Sequence, residues 1–264
     1  PLLVYPQRQA AGVSERLKAR GHEVDVAVGM RYGQPSIRAA MLQLRDAGCE
    51  HILTVPLYPQ YSSSTTGTVV DEVTRVASDL RNQPAMRFIK RFHVDPLYIN
   101  PLADKIGAHW AEHGKPQKLV MSFHGLPQRC TKIGDPYCRD SYETAAALAA
   151  RLDLSDDDYQ VTFQSRFGPA AWLQPYTEPT MEEMAKSGTT KVDVVCPGFV
   201  SDCLETLEEI SIEVRETFMN AGGERFNYIP CLNDDGPWLE TLTDLVEREL
   251  SGWPTRPDDV PGSN

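Results

Sequence analysis

Residues 191–215 read Lys191-Val-Asp-Val-Val-Cys-Pro-Gly-Phe-Val-Ser201-Asp202-Cys203-Leu204-Glu205-Thr-Leu-Glu-Glu209-Ile-Ser-Ile-Glu213-Val-Arg215. A β-branched run (Val192, Val194, Val195) stops at Pro197-Gly198, and a helix then begins. Leu204, Leu207, Ile210 and Val214 recur on one helical face. Glu205, Glu209 and Glu213 recur at four-residue steps on another. No Lys sits four residues beyond Glu205 or Glu209, and like charges at that spacing cost roughly 0.2–0.5 kcal/mol per pair on an exposed helix. Such a stripe suits a polar cavity that holds or passes a cation. The plainer reading is a capping box, with Asp202 as N-cap and Glu205 three residues on. That reading covers Asp202 and Glu205 and leaves Glu213 unexplained.

The same strand, turn and helix recur outward along the chain. Helices are predicted over Gln7–Arg20, Ser36–Ala47, Gly67 to about Leu80, Pro96–His113, Ser141–Leu152, Met181–Ser187 and Pro237–Leu250. Strands are predicted over Val24–Met30, His51–Leu57, Met86–Phe92, Lys118–Phe123, Gln160–Phe163 and Arg225–Pro230, besides the run at Val192. Strands alternating with helices imply an α/β fold with parallel sheets. The elements fall into two similar groups, so two doubly wound, Rossmann-like lobes are expected, with the active-site cleft between them. Residues 1–60 are assigned to an N-terminal lobe onto which a C-terminal helix, about 233–252, packs back. Residues 61–232 form the C-terminal lobe. Residues 253–264, rich in Pro, Asp and Gly, are read as a frayed tail.

Bulk properties narrow the function. The chain has 264 residues, enough for two lobes with real cores, and its net charge of -11 argues against a nucleic-acid partner. No apolar run reaches the length of a membrane span. Six cysteines are scattered without a CxxC pair, which argues against structural zinc or a disulfide framework and for reduced thiols in the cytoplasm. There is no GxGxxG fingerprint, no Walker A loop, no HExxH and no GxSxG elbow.

In open α/β sheets, ligands bind beyond the carboxyl ends of the strands. Here those ends carry Arg31-Tyr32, Tyr58 to Thr66, His124, Gln164-Ser165-Arg166, and Phe199 to Glu205. His124 follows an apolar strand and is the natural proton acceptor near neutral pH. Tyr58 and Ser62 suit an anion or carboxylate, and equally a hydroxyl-rich helix cap. Arg31 and Arg166 suit carboxylates. Trp172 and Phe199 suit the face of a flat ligand or a packed core.

Together these segments resemble the ferrochelatases, in particular their proteobacterial branch. The resemblance rests on Met30-Arg-Tyr-Gly33, Pro56-Leu-Tyr-Pro-Gln-Tyr-Ser62, Ser122-Phe-His-Gly-Leu-Pro127, Gly134-Asp-Pro-Tyr137, Thr162-Phe-Gln-Ser-Arg-Phe-Gly168 with Trp172-Leu173, and Cys196 to Ile210, in the family's order. It implies insertion of ferrous iron into protoporphyrin IX, giving protohaem and two protons. It implies His124 and Glu205 as the catalytic pair and transient metal ligands, facing each other across the porphyrin. Glu209 and Glu213 become a path for metal or protons. Arg31, Tyr32, Tyr58, Ser62, Gln164, Ser165, Trp172, Phe199 and Asp202 become substrate-binding or site-supporting residues.

Fe2+ is then a substrate, no cofactor is tightly bound, and no 2Fe-2S cluster is expected. By the same resemblance the protein is cytoplasmic, touches the inner membrane peripherally, and meets the preceding enzyme of haem biosynthesis. The family's first strand and its Leu-Gly-x-Pro loop are not found in this chain, which is therefore expected to lack the N-terminal segment. The alternatives are a chelatase for coproporphyrin or sirohydrochlorin, and a non-catalytic haem or tetrapyrrole carrier.

Overall fold

The computed structural model describes residues 3–259. In chain order the helices and strands are α1 (Val4–Ala19), α2 (Ile37–Asp46), β1 (His51–Thr54), α3 (Thr68–Ser78), β2 (Ala85–Phe88), α4 (Pro96–His113), β3 (Lys118–His124), α5 (Gln128–Lys132), α6 (Tyr137–Arg151), β4 (Tyr159–Gln164), α7 (Thr177–Lys186), β5 (Lys191–Val195), α8 (Arg215–Asn220), β6 (Arg225–Tyr228) and α9 (Gly236–Leu250). Two π-helical segments, Ser63–Gly67 and Glu205–Val214, run directly into α3 and α8. The backbone divides into two compact units. One holds residues 3–57, 62–91 and 234–259; the other holds residues 58–61 and 92–233.

The first unit is built on β1 and β2, parallel and in register from His51↔Ala85 to Thr54↔Phe88. Ile37, Met41, Ile52, Val69, Val73 and Val76 form its core. The ladder is shorter than the apolar runs because Pro56, two residues past Thr54, has no N–H to donate. The predicted strand at Val24–Met30 is not formed. Among the described residues this stretch makes one bridge, Met30↔Ser36, and joins no ladder. Alternating side chains favour a pleated backbone, but a strand exists only where a neighbour supplies the complementary N–H and C=O groups. Gly29 instead lies against α2, where a Cβ would come within 3.0 Å of the Ile37 α-carbon.

Helix α9 packs on α1 through buried Leu17 and Leu239. A Cβ on Gly12 would lie 2.7 Å from Leu239 Cδ1, which explains the glycine. Arg20 pairs with Asp244 and Glu247, both at 2.7 Å. The segment after α9, expected to fray, is tied down: Glu23 N–H donates to Thr255 O (2.7 Å), His22 Nδ1 lies 2.8 Å from Thr255 Oγ1, and Arg87 stacks on Trp253. Residues 260–264 of that expected tail lie outside the described residues.

The second unit carries a four-stranded sheet in the order β4-β3-β5-β6, with every pair parallel. β3 and β5 are buried nearly throughout because both faces are covered, and buried Asp193 within β5 accepts from Trp110 Nε1 and Asn227 Nδ2, each at 2.9 Å. Val120, Val192, Val194, Met181, Ile210, Val214, Phe218 and Phe226 pack as one cluster. Helix α4 begins as its sequence dictates: Pro96 occupies the first turn, and Asp95 accepts from the Leu97 N–H. Central β3 ends at His124, paired in register with Gln164 at the end of β4. Neighbouring β5 ends at Val195 and leads through Pro197-Gly198 to the acidic segment. Parallel pairing thus gathers three chemically loaded strand ends on one edge.

Candidate functional site

The acidic segment is a π-helix over Glu205–Val214, not the α-helix its periodicity predicts. Its N–H groups reach five residues back, giving a wider coil. An α-helix completes a turn in fewer than four residues, whereas a π-helix needs more. The expected apolar face therefore breaks up: Thr206, Ile210 and Val214 are buried, while Leu204 and Leu207 are exposed. Glu205 and Glu209 are half-buried and Glu213 is exposed. The Asp202–Glu205 capping box is not formed either. The Cys203 N–H donates to Thr206 Oγ1 at 3.0 Å, so the hydroxyl one residue later closes the turn.

Asp202 is buried with its carboxylate surrounded by donors. It accepts from Tyr228 Oη (2.5 Å), Asn233 Nδ2 (2.6 Å), Thr206 Oγ1 (3.1 Å) and the Cys231 N–H (3.3 Å). Burial alone would raise its pKa; the bonds from Asn233, Tyr228 and Cys231 outweigh burial and hold it below the usual carboxylate range. Asp202 pins the start of the π-helix to the segment after β6. Burial keeps the neighbouring Cys196 and Cys231 thiols protonated, and burial together with Glu205 pushes Cys203 up to about 12.

Gln164 fastens the other side. Its Nε2 donates to the Glu205 carbonyl (2.8 Å) and to Glu209 Oε2 (3.3 Å). Its Oε1 accepts from Ser122 Oγ (2.9 Å), which continues through Thr177 Oγ1 (2.8 Å) to Thr162 Oγ1 (2.9 Å). Ser165 follows at φ 61, a left-handed conformation, with its N–H and hydroxyl both on Glu209 at 2.5 Å. The Glu209 carboxylate is thus engaged by donors from the end of β4.

His124 is half-buried. Its Nδ1 lies 2.7 Å from the Gly125 carbonyl, and its ring centroid is 6.4 Å from that of Phe199. Trp172 is half-buried against Gly125, so the structure brings together His124, Gln164, Ser165, Trp172, Glu205 and Glu209, with Phe199 beside His124. Glu213 stands beyond them on the exposed side of the coil.

Tyr58 is exposed in the same unit. Arg31, Tyr32 and Ser62 belong to the other unit. There Arg31 Nε donates to Thr68 O (2.9 Å) and its guanidinium lies over the Tyr32 ring. Ser62 caps the first π-helix, its Oγ accepting from the Ser64 N–H (3.1 Å).

Sequence reasoning quoted Ser122, Gly125 and Thr162 within motifs but gave them no site role of their own, and it overlooked Thr177, Tyr228 and Asn233. Ser122 and Thr162 did leave a signal: each is a lone hydroxyl inside an apolar strand, and buried polar groups imply partners. A further cluster was also unforeseen. His93 Nε2 lies 2.8 Å from Glu143 Oε2 and 3.9 Å from Asp140 Oδ1. Arg139 pairs with both carboxylates, at 3.2 Å and 3.5 Å, so the group reads as an ion-pair network.

These features define a chelatase-like α/β protein. The solved structure of SirB from Bacillus subtilis with Fe3+ matches with a TM-score of 0.66 at 17% identity, covering 93% of this chain and 90% of that one. CbiX, described as the terminal enzyme of sirohaem biosynthesis in denitrifying bacteria, matches with a TM-score of 0.60 at 14% identity, covering 94% of this chain and 90% of its own. At such identities the likeness is one of fold.

The family itself is set by sequence. The family model described as Ferrochelatase matches residues 1–250. The ferrochelatase of Bordetella pertussis is 64% identical over 255 residues, 97% of this chain and 70% of that protein; that of Herminiimonas arsenicoxydans is 52% identical, over 97% and 69%. The chain belongs to the ferrochelatase family and is an enzyme, a porphyrin metal chelatase that inserts iron.

Proposed function

We propose that the enzyme joins Fe2+ to protoporphyrin IX with His124 and Glu205 as its working pair. The observation that carries this reading is Gln164: its backbone pairs with His124 in the sheet, and its side chain holds the Glu205 carbonyl at 2.8 Å. One buried residue therefore ties the strand end that carries His124 to the backbone that carries Glu205. Metallation replaces two pyrrole N–H protons with one dication. His124 accepts a proton, and Glu205 offers a carboxylate to the proton or to the entering metal. Imidazole and carboxylate suit ferrous iron as transient ligands.

Glu213 and Glu209 extend the acidic side of the site away from this pair. Phe199 and Trp172 are assigned to its walls, Ser165 and Asp202 to its support. Arg31, Tyr32, Tyr58 and Ser62 are assigned to the porphyrin and its propionates. No tightly bound cofactor or cluster enters this reading.

Peripheral contact with a membrane and with the enzyme delivering the porphyrin, in the cytoplasm, belongs to the same proposal. Exposed Leu204, Ile212 and Phe167 support it, and no described helix is long and apolar enough to cross a membrane.

Insertion of Fe2+ or Zn2+ into protoporphyrin, followed by fluorescence, tests the assignment. His124→Ala is expected to abolish insertion while the circular-dichroism spectrum is kept. Near-normal turnover in that variant would overturn it.

A further inference from the structure

We infer that Gly125 and Trp172 act as positioning residues that hold His124 in the tautomer with Nδ1 protonated and Nε2 free to take the porphyrin proton. The inference rests on the assignment of His124 as the base.

The tautomer follows from one contact. A carbonyl oxygen only accepts, so at 2.7 Å from the Gly125 carbonyl His124 Nδ1 is a donor. A neutral imidazole carries one N–H, and its other nitrogen then bears the lone pair. Among the described residues, the His124 ring is hydrogen-bonded through Nδ1 and not through Nε2. A proton from a pyrrole nitrogen is received at Nε2 with no ring flip. The resulting imidazolium keeps its Nδ1–H on the same carbonyl.

A carbonyl one residue away is a poor anchor if its peptide is free to turn. Here the peptides on either side of it are held: the Gly125 N–H donates to the Gln164 carbonyl and the Leu126 carbonyl accepts from the Leu173 N–H, each at 2.8 Å. A Cβ on Gly125 would come within 2.8 Å of that carbonyl oxygen and 3.2 Å of Trp172 Cε3. Gly125 does not have positive φ, so close approach from two sides explains the glycine, not backbone conformation. Both neighbours are stiff: one is strand backbone and the other an indole ring.

The ring is itself fastened. Leu173 N–H donates to Leu126 O and Gln128 N–H to Ala171 O, each at 2.8 Å, around the Pro127↔Trp172 bridge. Gln128 Nε2 also donates to Trp172 O at 3.1 Å. The indole N–H of Trp172 is buried without a partner. Packing against Gly125, with no hydrogen bond from the ring, therefore accounts for its position.

Nitrogen NMR of the histidine-labelled enzyme, with the His124 signals assigned by loss in His124→Ala, reads the tautomer directly. The expected wild-type spectrum has Nδ1 protonated and Nε2 bare. Gly125→Ala should bring in the Nε2–H tautomer, shift the pH profile of insertion, and lower kcat by about 10–100-fold with little change in KM for porphyrin. Trp172→Ala should move the tautomer in the same direction, and Trp172→Phe should restore it. A protonated Nε2 in the neutral wild-type ring would overturn the inference. So would a wild-type tautomer in both Gly125→Ala and Trp172→Ala. If Gly125→Ala fails to fold, the wild-type spectrum and the Trp172 variants still decide. Near-normal turnover in His124→Ala, beside the expected tautomer, would instead overturn the base assignment and with it the catalytic half of this inference.

Discussion

Glu209 grips Ser165 twice, through the backbone N–H and the hydroxyl, both at 2.5 Å. The grip closes the end of β4 onto the π-helix at the residue whose φ is 61. That conformation costs a residue with a Cβ roughly 1–2 kcal/mol, and glycine escapes most of it. Ser165→Ala loses the hydroxyl bond and keeps the strain; Ser165→Gly loses the same bond and relieves it. The glycine variant should therefore be more stable than the alanine variant by about 1 kcal/mol, less the extra entropy of its unfolded chain. Urea unfolding midpoints give the comparison, and an alanine variant at least as stable as the glycine one would refute the strain.

Asp202 makes the acid limb of stability predictable. Burial opposes its charge, but the donors Asn233, Tyr228 and Cys231 prevail and depress its pKa. A carboxylate with a depressed folded pKa contributes stability above its unfolded value, and that stability is lost as pH falls through the folded value. The contribution should be complete at neutral pH and fade below about pH 4. Asp202→Asn puts an amide N–H against groups that donate and should cost at least about 2 kcal/mol at neutral pH. Thermal melts across the acid range should show a shallower decline for the variant. Parallel curves would mean that Asp202 is not the titrating group.

The legible part of this site is the part that local sequence specifies. His124, Gln164 and the turn before Glu205 each end an apolar run, and parallel strands place such ends together. The coil of the acidic segment was not legible. Leu204, Leu207, Ile210 and Val214 satisfy an α-helical face, yet Thr206 takes the buried place because its hydroxyl bonds Asp202 and the Cys203 N–H. Those bonds depend on Asp202 being fixed by Tyr228 and Asn233, residues distant in sequence. The missing ladder at Val24–Met30 has a related cause, since pairing is decided by a neighbour and not by the segment's own alternation. For the candidates in the first unit, Arg31, Tyr32 and Ser62, the resemblance and not the residues decided the reading, because hydroxyls such as Ser62 serve a helix cap and a ligand equally well.

A second titration acts on the other end of the sheet. His109 is held below its ordinary pKa, mainly by burial and also by His113 and Arg225, while Asp193 at 3.7 Å and Glu112 pull the other way. A histidine with a depressed folded pKa favours folding while neutral. Its contribution is present above the unfolded value, about 6.5, and is lost as pH falls through the folded one. His109→Gln should therefore flatten the dependence of Tm on pH just below neutrality, leaving the carboxylate region unchanged. An undiminished slope in the variant would exclude His109 as its source.

Gln164 offers the sharpest test of how His124 and the acidic segment are joined. Its amide N–H groups face two acceptors, the Glu205 carbonyl and the Glu209 carboxylate, in a position only 3% exposed. Gln164→Glu puts an oxygen there. Ionised, that oxygen faces acceptors without a proton, at a cost of about 2–4 kcal/mol. Protonated, it donates again. The new carboxyl must therefore have a raised pKa in the folded state, so the penalty should be full at alkaline pH and shrink as pH falls through that value. Gln164→Met keeps the length and loses the bonds, so its penalty should not follow pH. Urea unfolding of both variants at about pH 5 and about pH 8 separates the cases. If the glutamate penalty is the same at both, the amide does not hold the π-helix through these bonds. If acid restores the glutamate variant's stability and its iron insertion in parallel, the tie between the two strand ends is required for catalysis.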